Sequence, residues 1–99
     1  MSPDQLVAAA RSAARNAYAP YSKFRVGAAV VTADGEVVTG ANVENAAYPS
    51  GACAEATAIY TAVARGARRI ATVAVACIDA DEVDGAYPCG RCRQVMSEF

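Results

Sequence analysis

Residues 24–43 read FRVGAAVVTADGEVVTGANV, and this stretch decides the fold. Two runs rich in strand-forming residues, 24–31 and 36–43, flank Ala33-Asp34-Gly35, a hairpin turn signal. The centre of the chain is therefore expected to be an antiparallel hairpin. Upstream, Ser2-Pro3-Asp4-Gln5 marks a helix start. Ser2 is the N-cap, Pro3 occupies the first helical position and Gln5 closes a capping box. Leu6, Ala10, Ala13 and Ala17 then recur at helical spacing, which predicts a helix over residues 3–18 with a narrow face of small residues. Pro20 ends it by disfavouring helix in the residue before it. Downstream, residues 45–51 read as loop and 53–65 as a helix stopped by Gly66, with Thr57, Tyr60, Thr61 and Arg65 partly exposed. Residues 70–78 are almost wholly apolar, as expected of a strand buried on both faces. Residues 79–87 form an acidic loop, and 89–99 have the pattern of a last helix. The order is α-β-β-α-β-α: a hairpin extended by a third strand, with helices packed on the sheet, in one domain spanning residues 1–99.

Composition narrows the chemistry. The 99 residues are 55% hydrophobic, much of it alanine, which buries little area per residue, so a metal or partner subunits are expected to add stability. Nine basic and ten acidic residues leave a net charge of −1, and Arg68-Arg69 is too small a basic patch for a nucleic-acid polymer. The longest apolar runs, 26–31 and 73–78, are too short to cross a membrane, and the polar N-terminus has no signal-peptide pattern. Four cysteines then point to a reducing cytoplasm, where thiols bind metal or do chemistry more often than they pair. There is no histidine, which excludes Ser-His-Asp triads, Cys-His pairs and histidine-based zinc proteases.

Two short motifs carry the functional signal. ACAEAT at 52–57 puts Cys53 and Glu55 at the start of the second long helix, and PCGRC at 88–92 puts Cys89 and Cys92 in the first turn of the last one. Helix N-termini favour thiolate over thiol. A Cys-x-x-Cys pair joined by Cys53 supplies three sulfur ligands, and a tetrahedral zinc then keeps one open position, as catalytic zinc does. Glu55, one turn in, can reach a water there. Taken singly, each motif has a plainer reading. Cys-x-x-Cys is often redox-active or structural, Cys53 can be a core thiol, and Glu55 can be a solvated acid of a first helical turn. Cys77, inside the apolar run 72–78, reads as a small core residue.

Taken together, the motifs resemble the zinc-dependent cytidine deaminase family, the small three-cysteine type. YAPYSKFRVGAAV (18–30), GANVENAAYPSGACAEATAI (40–59) and PCGRCRQVMSEF (88–99) all look like family blocks in the family's order. The resemblance implies a three-layer α/β/α sandwich and one zinc per chain on Cys53, Cys89 and Cys92. Glu55 would shuttle protons while water attacks C4 of a cytidine or deoxycytidine ring and ammonia leaves. It also implies that Phe24 packs on the pyrimidine, that Asn42 and Glu44 bind the ribose hydroxyls, and that backbone around Ala54 contacts the base. From the residues alone, Phe24 can equally be core, and Asn42 with Glu44 can cap a turn.

The chain departs from the family's pattern twice. Ala56 stands where the family commonly has an arginine that draws charge from the thiolates; Arg91 or Arg93 is a candidate to compensate. The family domain usually continues past the RQV helix through further strands, whereas this chain stops at Phe99, so a more open pocket and an uncovered sheet edge are expected. The family's usual homotetramer, or a dimer, would cover such an edge. The rival expectations are a deaminase of another aminopyrimidine, such as an N4-substituted cytidine or a cytosine-containing antibiotic like blasticidin S, and a non-catalytic zinc-binding structural protein or oligomer partner.

Overall fold

The computed structural model describes residues 2–79 and 97–99. Along these the elements run α1 (Pro3–Ala14), β1 (Val26–Thr32), β2 (Val37–Ala41), a single 3-10 turn (Tyr48–Ser50), α2 (Ala54–Ala64) and β3 (Ile70–Cys77). The last helix expected from the sequence lies outside the described residues except for its end, where Ser97 and Glu98 are helical.

β1 is the middle strand, paired antiparallel with β2 on one side and β3 on the other. Ala29 faces Thr39 across one ladder and Ala74 across the other. Alternation along β1 sorts its side chains between two cores. Ala28 and Val30 join Val38 against Ala54, Ala58, Ile59 and Ala62 of α2. Ala29 joins Leu6, Ala10 and Ala76, with Val31 and Val37 alongside, against α1. One helix therefore covers each face, and the α/β/α layering expected from the resemblance is present.

Small residues set the layer spacing. A side chain on Gly27 would strike Ala10 O of α1, and one on Gly40 would strike Ala58 N and Ala54 O of α2. Each helix backbone thus lies directly on a glycine of the sheet. The alanine-rich helices match this arrangement, since methyl groups let backbones approach where larger side chains would hold them apart.

Local signals are realised at the hairpin turn and at α1. Ser2 Oγ accepts from Gln5 N–H at 3.2 Å while Ser2 N–H donates to Gln5 Oε1 at 2.9 Å, the reciprocal capping box. Gly35 has φ of 89°, and the buried Thr32 closes the turn, its Oγ1 accepting from Glu36 N–H at 3.1 Å.

Three expectations need correction. α1 stops at Ala14, not near residue 18, because Tyr18 N–H is drawn out to Asn42 O at 3.0 Å and the chain joins the sheet edge there. Its buried face is accordingly Leu6, Ala10 and Ala14, a straight i, i+4 row, with Ala13 and Ala17 only half-buried. β3 is not buried on both faces. It lies at the edge of the described three-stranded sheet, with Ala71 and Thr72 exposed and burial reached only at Ala76 and Cys77. An uninterrupted apolar run reports what a strand could be packed against, not what covers it in a given chain.

Candidate active site

The site is assembled from three segments that meet beyond the end of β2. Val43 is the hub. Its two neighbours bond to Tyr18, with Tyr18 N–H donating to Asn42 O at 3.0 Å and Glu44 N–H donating to Tyr18 O at 2.8 Å. Val43 itself exchanges both backbone bonds with Ala52, each at 2.8 Å. Residues 42–44 are thereby laced between the 18–24 segment and the approach to α2, which brings the Phe24, Asn42 and Glu44 neighbourhood to the Cys53 helix start.

Cys53 is the N-cap of α2, with extended φ and ψ of −75° and 159° and a thiol that makes no capping hydrogen bond. Its carbonyl is held twice by Thr57, from N–H at 3.0 Å and Oγ1 at 2.9 Å, which fixes the first turn. The sulfur thus sits at the positive end of the helix macrodipole, where thiolate is favoured, without being consumed as a cap. Two residues on, Glu55 is 4% exposed, and its neighbours Ala54 and Ala56 are fully buried. A carboxylate this enclosed is not the solvated first-turn acid of the plainer reading. A cysteine sulfur at a helix N-terminus, two residues from a buried carboxylate, suits a zinc ion, which accepts thiolate ligands readily. Cys89 and Cys92, the other expected ligands, lie outside the described residues, and among the described residues no three metal-binding side chains cluster. Cys77 is a buried core position paired with Val26 across the β1–β3 ladder.

Phe24 is 50% exposed, so it is not plain core. Asn42 spends part of its amide on the start of β1: its Oδ1 accepts from Val26 N–H and its Nδ2 donates to Phe24 O, both at 2.9 Å. Glu44 Oε1 accepts from Tyr21 N–H at 3.0 Å and Ser22 N–H at 3.1 Å, and Oε2 accepts from Ser22 Oγ. The Ser22 hydroxyl, ahead of the backbone donors, holds the Glu44 carboxyl below its ordinary 4.5, so it is a pure acceptor at neutral pH.

Two features were missed in the sequence. Lys23, between Ser22 and Phe24, adopts φ of 65°, the left-handed region that costs a residue with a Cβ about 1–2 kcal/mol. Strain of this kind concentrates where surrounding contacts over-determine the backbone. Arg25 clamps Asp79 at the end of β3, donating from N and Nε to Oδ2 at 2.8 and 2.9 Å and from Nη2 to Oδ1 at 2.8 Å. The guanidinium's hydrogen bonds, with the Arg25 N–H, hold the Asp79 carboxyl at about 2. No local pattern announces either feature.

Two grooves on the described surface lie elsewhere. One is lined by residues including Ile59, Ile70 and Phe99, the other by residues including Asp34 and Arg68, and neither is lined by Cys53 or Glu55. No helix among the described residues is long and apolar enough to cross a membrane.

Comparison with known proteins identifies the family. A family model described as the cytidine and deoxycytidylate deaminase zinc-binding region matches residues 1–99. The cytidine deaminase of Sporosarcina psychrophila is 46% identical over 99 residues, covering all of this chain and 71% of that protein. The crystal structure of cytidine deaminase from Burkholderia pseudomallei superposes with a TM-score of 0.89 at 49% identity, over 99% of this chain and 76% of that one. The corresponding structure from Mycobacterium tuberculosis gives a TM-score of 0.86 at 41% identity, over 99% and 77%.

Proposed function

This chain belongs to the cytidine and deoxycytidylate deaminase zinc-binding family, and from that premise we propose that it hydrolyses cytidine or deoxycytidine to the uridine counterpart, releasing ammonia. The observation that carries the reading is Glu55, 4% exposed in the first turn of a helix whose N-cap is Cys53. A carboxylate withheld from bulk water two residues from that cysteine has a clear chemical use as a proton carrier.

Cys53, Cys89 and Cys92 would hold one zinc per chain. Bound there, zinc supplies Lewis acidity that makes water a competent nucleophile near neutral pH. The chain's own residues do the rest. Glu55 takes the proton of the attacking water as the C4–O bond forms and delivers it to ring N3. It then takes the remaining proton from the new C4 hydroxyl and passes it to the exocyclic nitrogen, so that C4=O forms as the C4–N bond breaks and ammonia leaves. Backbone at Ala54 lies beside the base, Phe24 offers a ring face to it, and Asn42 and Glu44 offer the remaining polar atoms to the sugar. Asn42 keeps one donor and one acceptor position beyond the bonds it makes to Phe24 and Val26, enough to engage a hydroxyl while still holding β1.

The whole chain acts as one domain in this reading, and its partner is a small nucleoside rather than a nucleic-acid polymer or a membrane. A site of reduced thiols suits the cytoplasm. A homo-oligomer, a tetramer or a dimer, is proposed to cover the edge that β3 presents in the described sheet.

Glu55→Gln tests the mechanism in purified protein with its zinc quantified. The variant should keep the zinc content and melting behaviour of the parent while turnover of cytidine falls by about 10²–10⁴-fold, the usual contribution of a positioned acid–base group. Retained turnover refutes the role. Cytidine, deoxycytidine and N4-substituted cytidines assayed side by side test the substrate; turnover of the modified compounds without turnover of cytidine refutes the assignment.

A further inference from the structure

Three hydrogen bonds converge on Ser22, and a fourth joins its neighbour Tyr21 to the same carboxylate. Its Oγ donates to Glu44 Oε2 and accepts from Phe24 N–H at 3.1 Å. Its own N–H and that of Tyr21 both donate to Glu44 Oε1, at 3.1 and 3.0 Å. The direction of the hydroxyl proton is forced. Phe24 brings a donor, so that contact takes a lone pair of Oγ, and the single O–H is left for the carboxylate. The left-handed turn at Lys23, φ 65°, is what carries the Phe24 N–H back over the Ser22 hydroxyl.

Counting acceptor positions shows what this achieves. A carboxylate offers about four lone-pair directions. Three are taken here, two on Oε1 and one on Oε2, by donors from the 21–22 segment. One corner of Oε2 remains, and its direction is set by the Ser22 bond. Without that bond the carboxylate could turn about its last torsion, which is broad and soft. The same hydroxyl fixes the backbone of Phe24, whose half-exposed ring stands next to it in the chain.

We propose that Ser22 is a positioning residue for the sugar end of the nucleoside site, its hydroxyl holding Glu44 and Phe24 in one mutual orientation so that Glu44 presents a single acceptor corner to one ligand hydroxyl. The inference rests on the nucleoside reading above and deepens it: selectivity for a hydroxylated sugar is written into a residue that need not touch the ligand. Ser22 acts through Glu44, and this separates it from a residue that only supports the fold.

The test is steady-state kinetics on cytidine, 2′-deoxycytidine and 3′-deoxycytidine with Ser22→Ala, Ser22→Thr, Glu44→Gln and the Ser22→Ala/Glu44→Gln double variant. For Ser22→Ala, KM for cytidine should rise about tenfold, the weight of one charge-assisted hydrogen bond, with kcat within about twofold. At least one deoxynucleoside, lacking the hydroxyl that Glu44 accepts, should show little change. Ser22→Thr keeps the hydroxyl and should recover most of the loss, and the double variant should be no worse than Glu44→Gln alone. Should Ser22→Ala not fold, Ser22→Cys carries the same test, because a thiol keeps the shape but is a weak donor. An unchanged KM, an equal loss on all three nucleosides, or additive effects in the double variant overturns the inference. A parent chain inert toward all three nucleosides refutes the functional reading beneath it; an active parent with an indifferent Ser22→Ala refutes this inference alone.

Discussion

A methyl group placed on Gly40 would stand 2.5 Å from Ala58 N, 2.8 Å from Ala54 O and 2.9 Å from Ala58 Cα. All three are backbone atoms of α2, so no rotamer change can make room. Ordinary contact begins at 3.4 Å, and the helix would have to withdraw by about 0.9 Å from the sheet. Overpacking of this kind costs about 1–3 kcal/mol. Gly40 does not lie in the positive-φ region, so alanine there brings no backbone strain. It should even gain about 0.4–1 kcal/mol by restricting the unfolded chain. The net expectation is a loss of about 1–2 kcal/mol. The functional consequence should be larger, because Ala54 O belongs to the turn that carries Cys53 and Glu55. Moving that turn by nearly an ångström should lower kcat on cytidine on the order of 10²-fold. Gly27→Ala is the control. Its Cβ would meet Ala10 O of α1 at 1.9 Å, on the opposite face of the sheet, so it should cost at least as much stability with a smaller effect on kcat. Urea denaturation and nucleoside turnover on both variants decide the matter. A Gly40→Ala protein as stable as the parent, with the parent's kcat, refutes the argument that close backbone approach sets the site.

The Arg25–Asp79 clamp has a defined pH window. Asp79 is held at about 2 against an ordinary 3.8, so the contribution is fully present above about pH 4 and is lost as pH falls through about 2. The gap in melting temperature between the parent and Asp79→Asn should therefore shrink with acidification from pH 5 to pH 2, and a constant gap counts against the clamp. At Lys23, glycine relieves the left-handed strain and should leave stability equal or higher, whereas valine should lower it by about 1–2 kcal/mol in urea melts. Ser2→Ala removes the α1 cap and should cost about 1 kcal/mol, measured in the same way. Cys53→Ser should bind substoichiometric zinc by metal analysis and be inactive, while Cys77→Ser, in the core, should keep its zinc and lose stability instead.

The parts of this fold legible in the sequence are those governed by near neighbours. Ser2 and Gln5 of the capping box are three residues apart, and Gly35 lies inside the turn it marks. The resemblance to the deaminase family was also legible, because it rests on blocks of contiguous residues, and the family model and the superposed structures agree with it. The misplaced features share one cause. α1 ends early because Tyr18 finds Asn42, and β3 is half-open because of where it lies in the sheet. Neither partner is visible from within its own segment.

The sequence by itself determined the order of the elements from α1 to β3, the α1 cap and the hairpin turn, and the presence of a thiol and a carboxylate at the head of one helix, since propensity and short-range hydrogen bonds act within a few residues. Tertiary structure alone decided that Glu55 is buried, that Gly27 and Gly40 lie under helix backbones, and that Ser22 holds Glu44 across 22 residues and Arg25 holds Asp79 across 54. Burial and long-range pairing depend on which surfaces the folded chain brings into contact, and one-dimensional spacing carries no record of that.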